Sequence, residues 1–309
     1  MNAMTRLDWK LKLARLVATN MYRMQGTGLP RVSEAIRRRV ARMAAMQQEN
    51  AGVWIDDFCG DLRFCCDLSE HMGSQIFFRG SYSGGQLVVL RRLLSPDGVF
   101  IDAGANQGEF TVCAAGRLPD GHVFAFEPVP AIRARLEQNV AGNGFGNVTI
   151  HPVGLSDENQ DDVPIYGADS AFSDGTQNIG LPTLFDVSGR SRPLARITLR
   201  RLDEVLPENQ RVDVMKVDVE GAELAVLNGA EKTIQREKPS IIFEANAETC
   251  EAAGYSVETL FEWLGHHGYD LKVIGPAGEL TPLGEQAGFC NVLAVHPAGR
   301  SVKAEDGGA

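Results

Sequence analysis

The centre of the chain alternates short apolar runs with longer segments in which apolar residues recur every three or four positions. Short apolar runs bounded by glycine-rich or polar turns are typical of buried strands. Helical spacing is clearest after Pro130, where Ile132, Leu136 and Val140 share one face. The predicted core strands are Val99–Ala103, Val123–Phe126, Val148–Ile150, Val212–Val219 and Ser240–Asn246.

Two further strands are predicted near the C-terminal end. Tyr269–Ile274 and Phe289–Val295 are separated by Gly275-Pro-Ala-Gly278 and a loop, a pattern typical of an antiparallel hairpin. Strands that alternate with helices along a chain usually form a mostly parallel sheet covered by helices on both faces. The predicted fold class is therefore α/β, with a doubly wound, mostly parallel, seven-stranded sheet.

The first 95 residues have a different pattern and are predicted to be a helical and short-strand extension. Apolar spacing predicts a helix over residues 5–22, and Ser33 is predicted to cap a second helix. Three strand-like runs follow, and a helix over about residues 86–94 precedes the first core strand. These runs are Trp54–Phe58, Leu62–Leu68 and Gln75–Phe78. The division predicts a ligand-binding domain over residues 96–299.

Residues 158–196 are polar and contain scattered glycines. Long loops in compact domains are usually functional or mobile, so this segment is assigned to the substrate side as an insertion. Its candidate contact residues are Tyr166, Ser170, Thr176 and Arg190. The small and polar tail over residues 300–309 is predicted to be disordered.

The segment from Asp102 to Gly108 has the composition of a ligand-binding turn. Gly104 and Gly108 allow the backbone to approach a ligand closely, and Glu127 is placed to accept hydrogen bonds from both hydroxyls of a ribose. A dinucleotide fingerprint needs a glycine where Asn106 stands. Because the negative charge of Asp102 suits an ammonium group better than a phosphate, the turn favours S-adenosylmethionine over NAD.

Polar residues follow or end five of the predicted strands. Ligands of doubly wound sheets bind beyond the carboxyl ends of the strands, so these side chains are expected at one edge. They are Asp102, Glu127, Ser156, Asp218 and Glu244. Ser156 and Asp157 are candidates to accept a hydrogen bond from an adenine amino group, and an ordinary polar turn is the alternative. The residues expected at the cofactor are Asp102, Gly104, Asn106, Gly108, Glu127, Pro128, Ser156, Asp157 and Asp218.

The charge balance and the cysteine content limit which binding partners and which cellular compartment are expected. Lys and Arg number 30 against 40 Asp and Glu, a net charge of -10, which argues against nucleic acid because its binding needs a basic surface. No apolar run approaches the ~18 residues of a membrane span, and no secretory signal is recognised. The six cysteines are typical of reduced thiols in a cytoplasmic protein, although Cys59, Cys65 and Cys66 leave a zinc site as an alternative.

Several stretches together resemble the FkbM family of S-adenosylmethionine-dependent methyltransferases. The likeness covers about residues 76–295 and is most specific over Met215–Glu223, while residues 1–50 find no match. In chain order, the matching stretches are Phe100–Gly108, Ala125–Pro130, Asn139-Val140 with Asn143-Gly144, Leu202–Leu206, Met215–Glu223 and Val226–Ala230. Each stretch is weakly specific by itself, whereas all of them in this order are a strong signal.

The resemblance implies a class I methyltransferase fold, Rossmann-like, with an antiparallel strand at one edge. It also implies methyl transfer to an oxygen, often on sugars or other hydroxylated small molecules. The chain departs from the family at one motif. The family often has Gly-x-Tyr-Glu before the ligand turn, whereas this chain has Gly80-Ser-Tyr-Ser83, which puts the role of that glutamate in question.

Methyl transfer to a hydroxyl needs precise positioning and a group that takes the hydroxyl proton. Asp218 ends the fourth core strand and is the first candidate for a general base or an acceptor-orienting group. Lys216 lies on the same face by strand alternation and is expected to keep Asp218 ionised, and a structural ion pair is the alternative. Glu220 and Glu244 are second candidates. The hypothesis needs no metal, although oxygen ligands from Asp218, Glu220 and Glu244 leave magnesium as an alternative.

Three other functions stay open at this point. A nicotinamide oxidoreductase is opposed by Asn106. A non-catalytic S-adenosylmethionine-binding module is left open by Ser83. A nucleic-acid methyltransferase is opposed by the acidic charge balance. The oligomeric state and the acceptor are not assigned.

Overall fold

A computed structural model describes residues 9–24, 29–47, 52–167, 182–185, 193–284 and 288–300. The described residues form two compact units, one that ends at Tyr82 and one that begins at Ser83. The predicted division between residues 95 and 96 stays a prediction, because packing does not show which part folds alone. Outside the described residues lie Ser170, Thr176, Arg190 and the tail after Arg300.

The first unit contains a pair of helices, a β-hairpin and a third helix. Ser33 lies inside the second helix and donates a hydrogen bond to the carbonyl of Ala18 at 2.7 Å, so the prediction that it caps this helix is wrong. In chain order the elements are α1 (Trp9–Arg23), α2 (Leu29–Gln47), β1 (Val53–Phe58), β2 (Leu62–Cys66) and α3 (His71–Arg79).

Helix α3 replaces the strand predicted over Gln75–Phe78. The Glu70 carboxylate accepts the N–H of Gly73 and caps the helix, which ends at Gly80 with φ +88°. Because Ile76, Phe77 and Phe78 are all buried, the segment is apolar throughout and lacks the spacing that distinguishes a helix from a strand.

The second unit carries most of the predicted alternation of strands and helices. Its helices are α4 (Gly84–Leu93), α5 (Glu109–Ala115), α6 (Pro130–Gly142), α7 (Leu202–Val205), α8 (Glu223–Gly229), α9 (Glu231–Glu237), α10 (Ala247–Ala252) and α11 (Val257–His266). Its strands are β3 (Val99–Ala103), β4 (His122–Phe126), β5 (Val148–His151), β6 (Gly154–Leu155), β7 (Gln160–Ile165), β8 (Ala195–Arg200), β9 (Val214–Val217), β10 (Ser240–Asn246), β11 (Asp270–Ile274), β12 (Leu280–Pro282) and β13 (Phe289–Val295).

Eight of these strands form one sheet in the order β12-β11-β13-β10-β9-β3-β4-β5. Strands β5, β4, β3, β9 and β10 run parallel, and β13 is antiparallel to both β10 and β11. The doubly wound sheet and the antiparallel hairpin are therefore confirmed. The sheet has one strand more than the predicted seven, because the three residues of β12 are too few to give a recognisable pattern.

A separate sheet of three strands has the order β6-β8-β7. Arg200 ends β8, and the four-residue helix α7 begins at Leu202. No helix among the described residues is long and apolar enough to cross a membrane.

Alternation along β3 and β9 determines which side chains reach the core. Ile101, Ala103, Met215 and Val217 are fully buried in the same hydrophobic cluster, and β3 pairs with β9 so that Asp102 lies opposite Lys216. Because successive side chains point to opposite faces of a sheet, Asp102 and Lys216 lie together on the other face.

Candidate functional site

The turn after β3 approaches the neighbouring strands closely. The N–H groups of Gly104 and Ala105 both donate to the carbonyl of Phe126, at 3.2 and 2.9 Å. Gly104 has φ +79°, and a Cβ atom there would lie 2.0 Å from the carbonyl oxygen of Asp218. This close approach requires glycine at residue 104.

Glu127 faces this turn, as the sequence predicts. Its Oε2 accepts the N–H of Asn106 at 3.0 Å, and its Oε1 accepts the N–H of Val129 at 2.8 Å. Asn106 adopts φ +50° and Gly108 adopts φ +95°, and the turn places the N–H of Asn106 against the carboxylate. Burial raises the pKa of Glu127 to about 7, even though the two N–H groups favour the charged form.

Arg133 fixes the chain on the other side of Glu127. Its guanidinium donates to the carbonyl oxygens of Glu127 and Pro128, at 3.2 and 3.1 Å. Arg133 belongs to the first turn of α6, so the start of this helix is tied to the end of β4.

Lys216 lies between two carboxylates beneath the turn. Its Nζ is 3.3 Å from Asp218 and 3.8 Å from Asp102, and it donates to the carbonyl of Gly104 at 2.8 Å. Burial alone would lower the pKa of Lys216, but the charges of Asp218 and Asp102 raise it above its ordinary value. Lys216 is therefore a buried cation at neutral pH.

Asp102 is fully buried, and one of its oxygens, 3.8 Å from the Nζ of Lys216, accepts no hydrogen bond from the described residues. Its Oδ2 accepts the hydroxyl of Thr111 at 2.5 Å, whereas its Oδ1 has no hydrogen-bond partner within the part of the chain that the structure describes. Burial raises the pKa of Asp102, against the opposing effect of Lys216. A buried oxygen that accepts no hydrogen bond is costly in a folded protein, and its presence marks a place where a ligand can contribute.

Two further carboxyl groups, those of Glu220 and Glu244, lie near Asp218. Burial and the charges of Asp218 and Glu244 raise the pKa of Glu220 to about 9, and burial with Asp218 raises the pKa of Glu244 to about 8. Glu220 has φ +52°, and its carbonyl accepts the hydroxyl of Thr183 at 2.9 Å. Both glutamates are therefore mainly neutral at pH 7 and can donate as well as accept hydrogen bonds.

Ser156 and Asp157 lie elsewhere. Strand β5 ends at His151, and β6 of the three-stranded sheet lies between it and Ser156, whereas the sequence predicts a simple turn there. Its hydroxyl donates to Asp157 at 3.1 Å, and a Cβ added to Gly229 would lie 1.9 Å from its carbonyl oxygen. The predicted contact of Ser156 and Asp157 with adenine stays a prediction.

Sequence reasoning missed Glu109 and Glu223. Glu223 accepts the N–H groups of Val219 and Gly221, at 3.1 Å each, and shapes the loop that carries Glu220. Glu109 is 2% exposed and accepts the N–H of Ser83. Strand alternation carries no signal for either residue, since both begin helices. A buried acid at the first position of a helix is the signal that could have identified them.

The described residues contain no group of three or more His, Cys, Asp or Glu side chains arranged to hold a metal ion. The zinc alternative at Cys59, Cys65 and Cys66 and the magnesium alternative at Asp218, Glu220 and Glu244 therefore gain no support from the geometry. Activity in the presence of a chelator is the direct test for magnesium.

A family model described as the methyltransferase FkbM domain matches residues 102–271. The AMB antimetabolite synthetase AmbE of Pseudomonas aeruginosa is 31% identical over 234 residues, which cover 66% of this chain and 11% of that protein. The chain thus spans about a tenth of the length of that relative. Methyltransferase 1 of Beauveria bassiana is 30% identical over 193 residues, which cover 55% of this chain and 73% of that protein.

Among solved structures, a methyltransferase FkbM from Methylobacillus flagellatus aligns with 84% of this chain and 60% of that chain. The two sequences are 14% identical in the alignment, and the TM-score is 0.42.

Proposed function

This chain belongs to the FkbM methyltransferase family, and from that premise we propose that it transfers a methyl group from S-adenosylmethionine to a hydroxyl oxygen of a small, sugar-like molecule. One observation carries the proposal. The carboxylate of Asp218 lies 3.3 Å from the buried cation Lys216, directly beside the glycine turn.

The residues of the turn fit S-adenosylmethionine. Glu127 sits one strand away from the turn and retains lone pairs for the hydroxyls of a ribose, because each of its oxygens accepts one backbone N–H from the residues that the structure describes. Oδ1 of Asp102, which accepts no hydrogen bond from the described residues, supplies negative charge where the amino-acid end of the cofactor is expected. Gly104 and Gly108 leave no room for a side chain, because a Cβ atom would lie 2.0 Å from the carbonyl oxygen of Asp218 at the first and 2.7 Å from Cδ1 of Leu136 at the second.

Bound S-adenosylmethionine supplies an electrophilic methyl group, and the chain supplies position and a proton acceptor. Asp218 is the residue proposed to accept the hydroxyl proton. Its backbone N–H donates to the carbonyl of Ala103 at 3.2 Å, which fixes it beside the turn. Lys216 is proposed to orient the base through the 3.3 Å contact.

The acceptor side supports a hydroxylated small molecule. Glu220 and Glu244 have pKa values of about 9 and about 8 because of burial and neighbouring charge, so each presents both a donor and an acceptor at neutral pH. Several hydroxyl groups on one molecule match such a set. The net charge of -10 opposes a nucleic-acid acceptor.

The first experiment identifies the acceptor. A methyl-transfer screen is run over sugars, other hydroxylated small molecules and RNA, with calorimetric binding of S-adenosylmethionine and of NAD measured in parallel. We expect S-adenosylmethionine to bind and a hydroxylated small molecule to be methylated. Methylation of RNA alone would contradict the proposal, and cofactor binding without any transfer would favour a non-catalytic binding module.

The second experiment tests the role of Asp218. The Asp218→Asn variant should lose about a hundredfold or more in turnover, while its affinity for S-adenosylmethionine stays within about threefold of the original because the other residues expected at the cofactor are unchanged. Asp120→Asn, at an exposed turn residue, is the matched control. A loss of cofactor affinity with normal turnover per bound complex would show that Asp218 is not the base.

A further inference from the structure

Glu109 is a buried carboxylate to which the methyl-transfer mechanism gives no task. It is the first residue of α5 and follows Gly108 directly. Its side chain is buried, and each of its two oxygens lies 3.2 Å from the backbone nitrogen of Ser83. A buried carboxylate is costly unless it meets donors and opposite charge, so both its contacts and its position need an account.

The first turn of α5 surrounds the buried pair of Lys216 and Asp102. The ring of Phe110 lies 5.0 Å from the Nζ of Lys216, and the hydroxyl of Thr111 donates to Asp102 at 2.5 Å. The charge of Glu109 acts on Lys216 in the same sense as the charges of Asp218 and Asp102. Three consecutive residues of α5 therefore act on this pair.

Helix α4 is fixed along its length by other contacts. The amide of Gln86 donates to Asn291 at 2.9 Å, and Arg92 donates to the carbonyl of Gly278 at 2.8 Å. Ser83, the residue before the helix, makes no side-chain cap, and its N–H is held by Glu109. Glu109 thus joins the beginning of α4 to the beginning of α5.

We propose that Glu109 is a positioning residue of the cofactor site, whose carboxylate fastens the start of α4 to the first turn of α5 and balances the ammonium of Lys216. The inference rests on the proposed function in so far as Lys216 serves methyl transfer. The carboxylate that the family resemblance leads us to expect at residue 83 is thus found within hydrogen-bond distance of that residue, supplied from residue 109.

Two variants separate the two tasks of Glu109. Glu109→Gln removes the charge and keeps an amide oxygen that can accept the N–H of Ser83, whereas Glu109→Ala removes both. Glu262→Gln, the same change at an exposed position of α11, is the control. If Glu109→Ala does not fold, Glu109→Gln still decides the outcome.

The first readout is the titration of the Lys216 ammonium in the protein without cofactor, followed by ¹⁵N NMR and assigned with Lys216→Arg. We expect Glu109→Gln to lose this proton at a lower pH than the original chain, and Glu262→Gln to match the original. The charged groups that act on Lys216 and stay unchanged in Glu109→Gln are Asp102, Asp218, Glu127, Glu220 and Glu244. Titration at the same pH in Glu109→Gln and the original chain would overturn the inference.

The second readout is calorimetric affinity for S-adenosylmethionine, which we expect to fall about tenfold in Glu109→Gln with little change in the melting temperature. Unchanged affinity in Glu109→Gln would limit Glu109 to a structural role and overturn the positioning claim. If the original chain does not bind S-adenosylmethionine, the proposed function fails, and the Lys216 titration still decides the role of Glu109.

Discussion

The two sides of the glycine turn use the same chemical group in opposite ways. On the cofactor side, Glu127 is held by two backbone N–H groups and Asp102 by the hydroxyl of Thr111. On the proposed acceptor side, Glu220 and Glu244 lie near Asp218, so that burial and the like charge of Asp218 both raise their pKa values. The first arrangement holds carboxylates in place, whereas the second keeps them protonated.

The comparison shows how the surroundings of each carboxyl group control its pKa. Hydrogen bonds to a carboxylate favour the charged form, and neighbouring carboxylates disfavour it. The pKa of about 7 for Glu127 therefore lies below the values of about 8 and about 9 on the acceptor side. Lys216 lies between the two sides and contacts both Asp102 and Asp218.

The largest effect is expected from a change at Gly104, where the glycine turn closely approaches the backbone of Asp218. Gly104→Ala should cost about 3 kcal/mol or more in the free energy of unfolding and at least a hundredfold in S-adenosylmethionine affinity, because its Cβ would lie 2.0 Å from the carbonyl oxygen of Asp218. Urea denaturation and calorimetry measure the two losses.

The matched control for that change is Gly144→Ala. Gly144 also has a positive φ, of +68°, but a Cβ there meets nothing within 4 Å, so only the backbone cost of about 1 kcal/mol is expected. Equal losses in the two variants would mean that the close approach of Gly104 to Asp218 has no special importance.

A smaller effect tests the cofactor side through pH. Because burial raises the pKa of Glu127 to about 7, its carboxylate is mostly ionised at pH 8 and mostly protonated at pH 6. Affinity for S-adenosylmethionine should therefore fall about tenfold from pH 8 to pH 6. Calorimetry at both values checks this, and Glu127→Gln should bind weakly with little pH dependence. A flat profile in the original chain would exclude Glu127 as the titrating group.

The smallest effect tests the acceptor side through stability. The unfolded chain loses the Glu244 proton near the ordinary glutamate pKa of 4.5, whereas the folded chain keeps it up to about 8. The folded state therefore binds more protons between these values, and the stability that Glu244 contributes is lost as pH rises through that window.

Glu244→Gln should remove this part of the slope, and we expect it to gain about 1 kcal/mol relative to the original chain from pH 6 to pH 8, a figure reduced for partial exposure. Urea denaturation at the two pH values measures the change, with Glu262→Gln as the control. Parallel stability profiles for Glu244→Gln and the original chain would contradict the assignment of a raised pKa to Glu244.

Much of the fold follows from the sequence because its signals are local. The parallel strands have short apolar runs, and the turn at Gly104 has a glycine that the backbone requires. Helix α3 is different, since Ile76, Phe77 and Phe78 are buried on every side and give no periodicity. The Glu70 carboxylate caps the helix by accepting the N–H of Gly73, but glutamate is not among the residues that usually mark the start of a helix.

The candidate site shows the same division. Alternation alone predicts that Lys216 and Asp218 share a face, and their side chains lie 3.3 Å apart. Alternation cannot place Glu109, because its partner Ser83 lies 26 residues earlier in the chain. Ser156 is harder to place, because the chain leaves the large sheet after β5 and forms β6 of a separate sheet. Nothing in Val153–Leu155 signals that departure.

The large sheet also stops in a particular way at its two borders. One border strand, β12, has three residues and includes Pro282, and the other, β5, has four. Proline lacks an N–H, and a short border strand offers an incoming chain few backbone groups to pair with. Both border strands therefore offer few backbone groups for edge-to-edge pairing with another molecule, which is the contact through which exposed sheet edges aggregate.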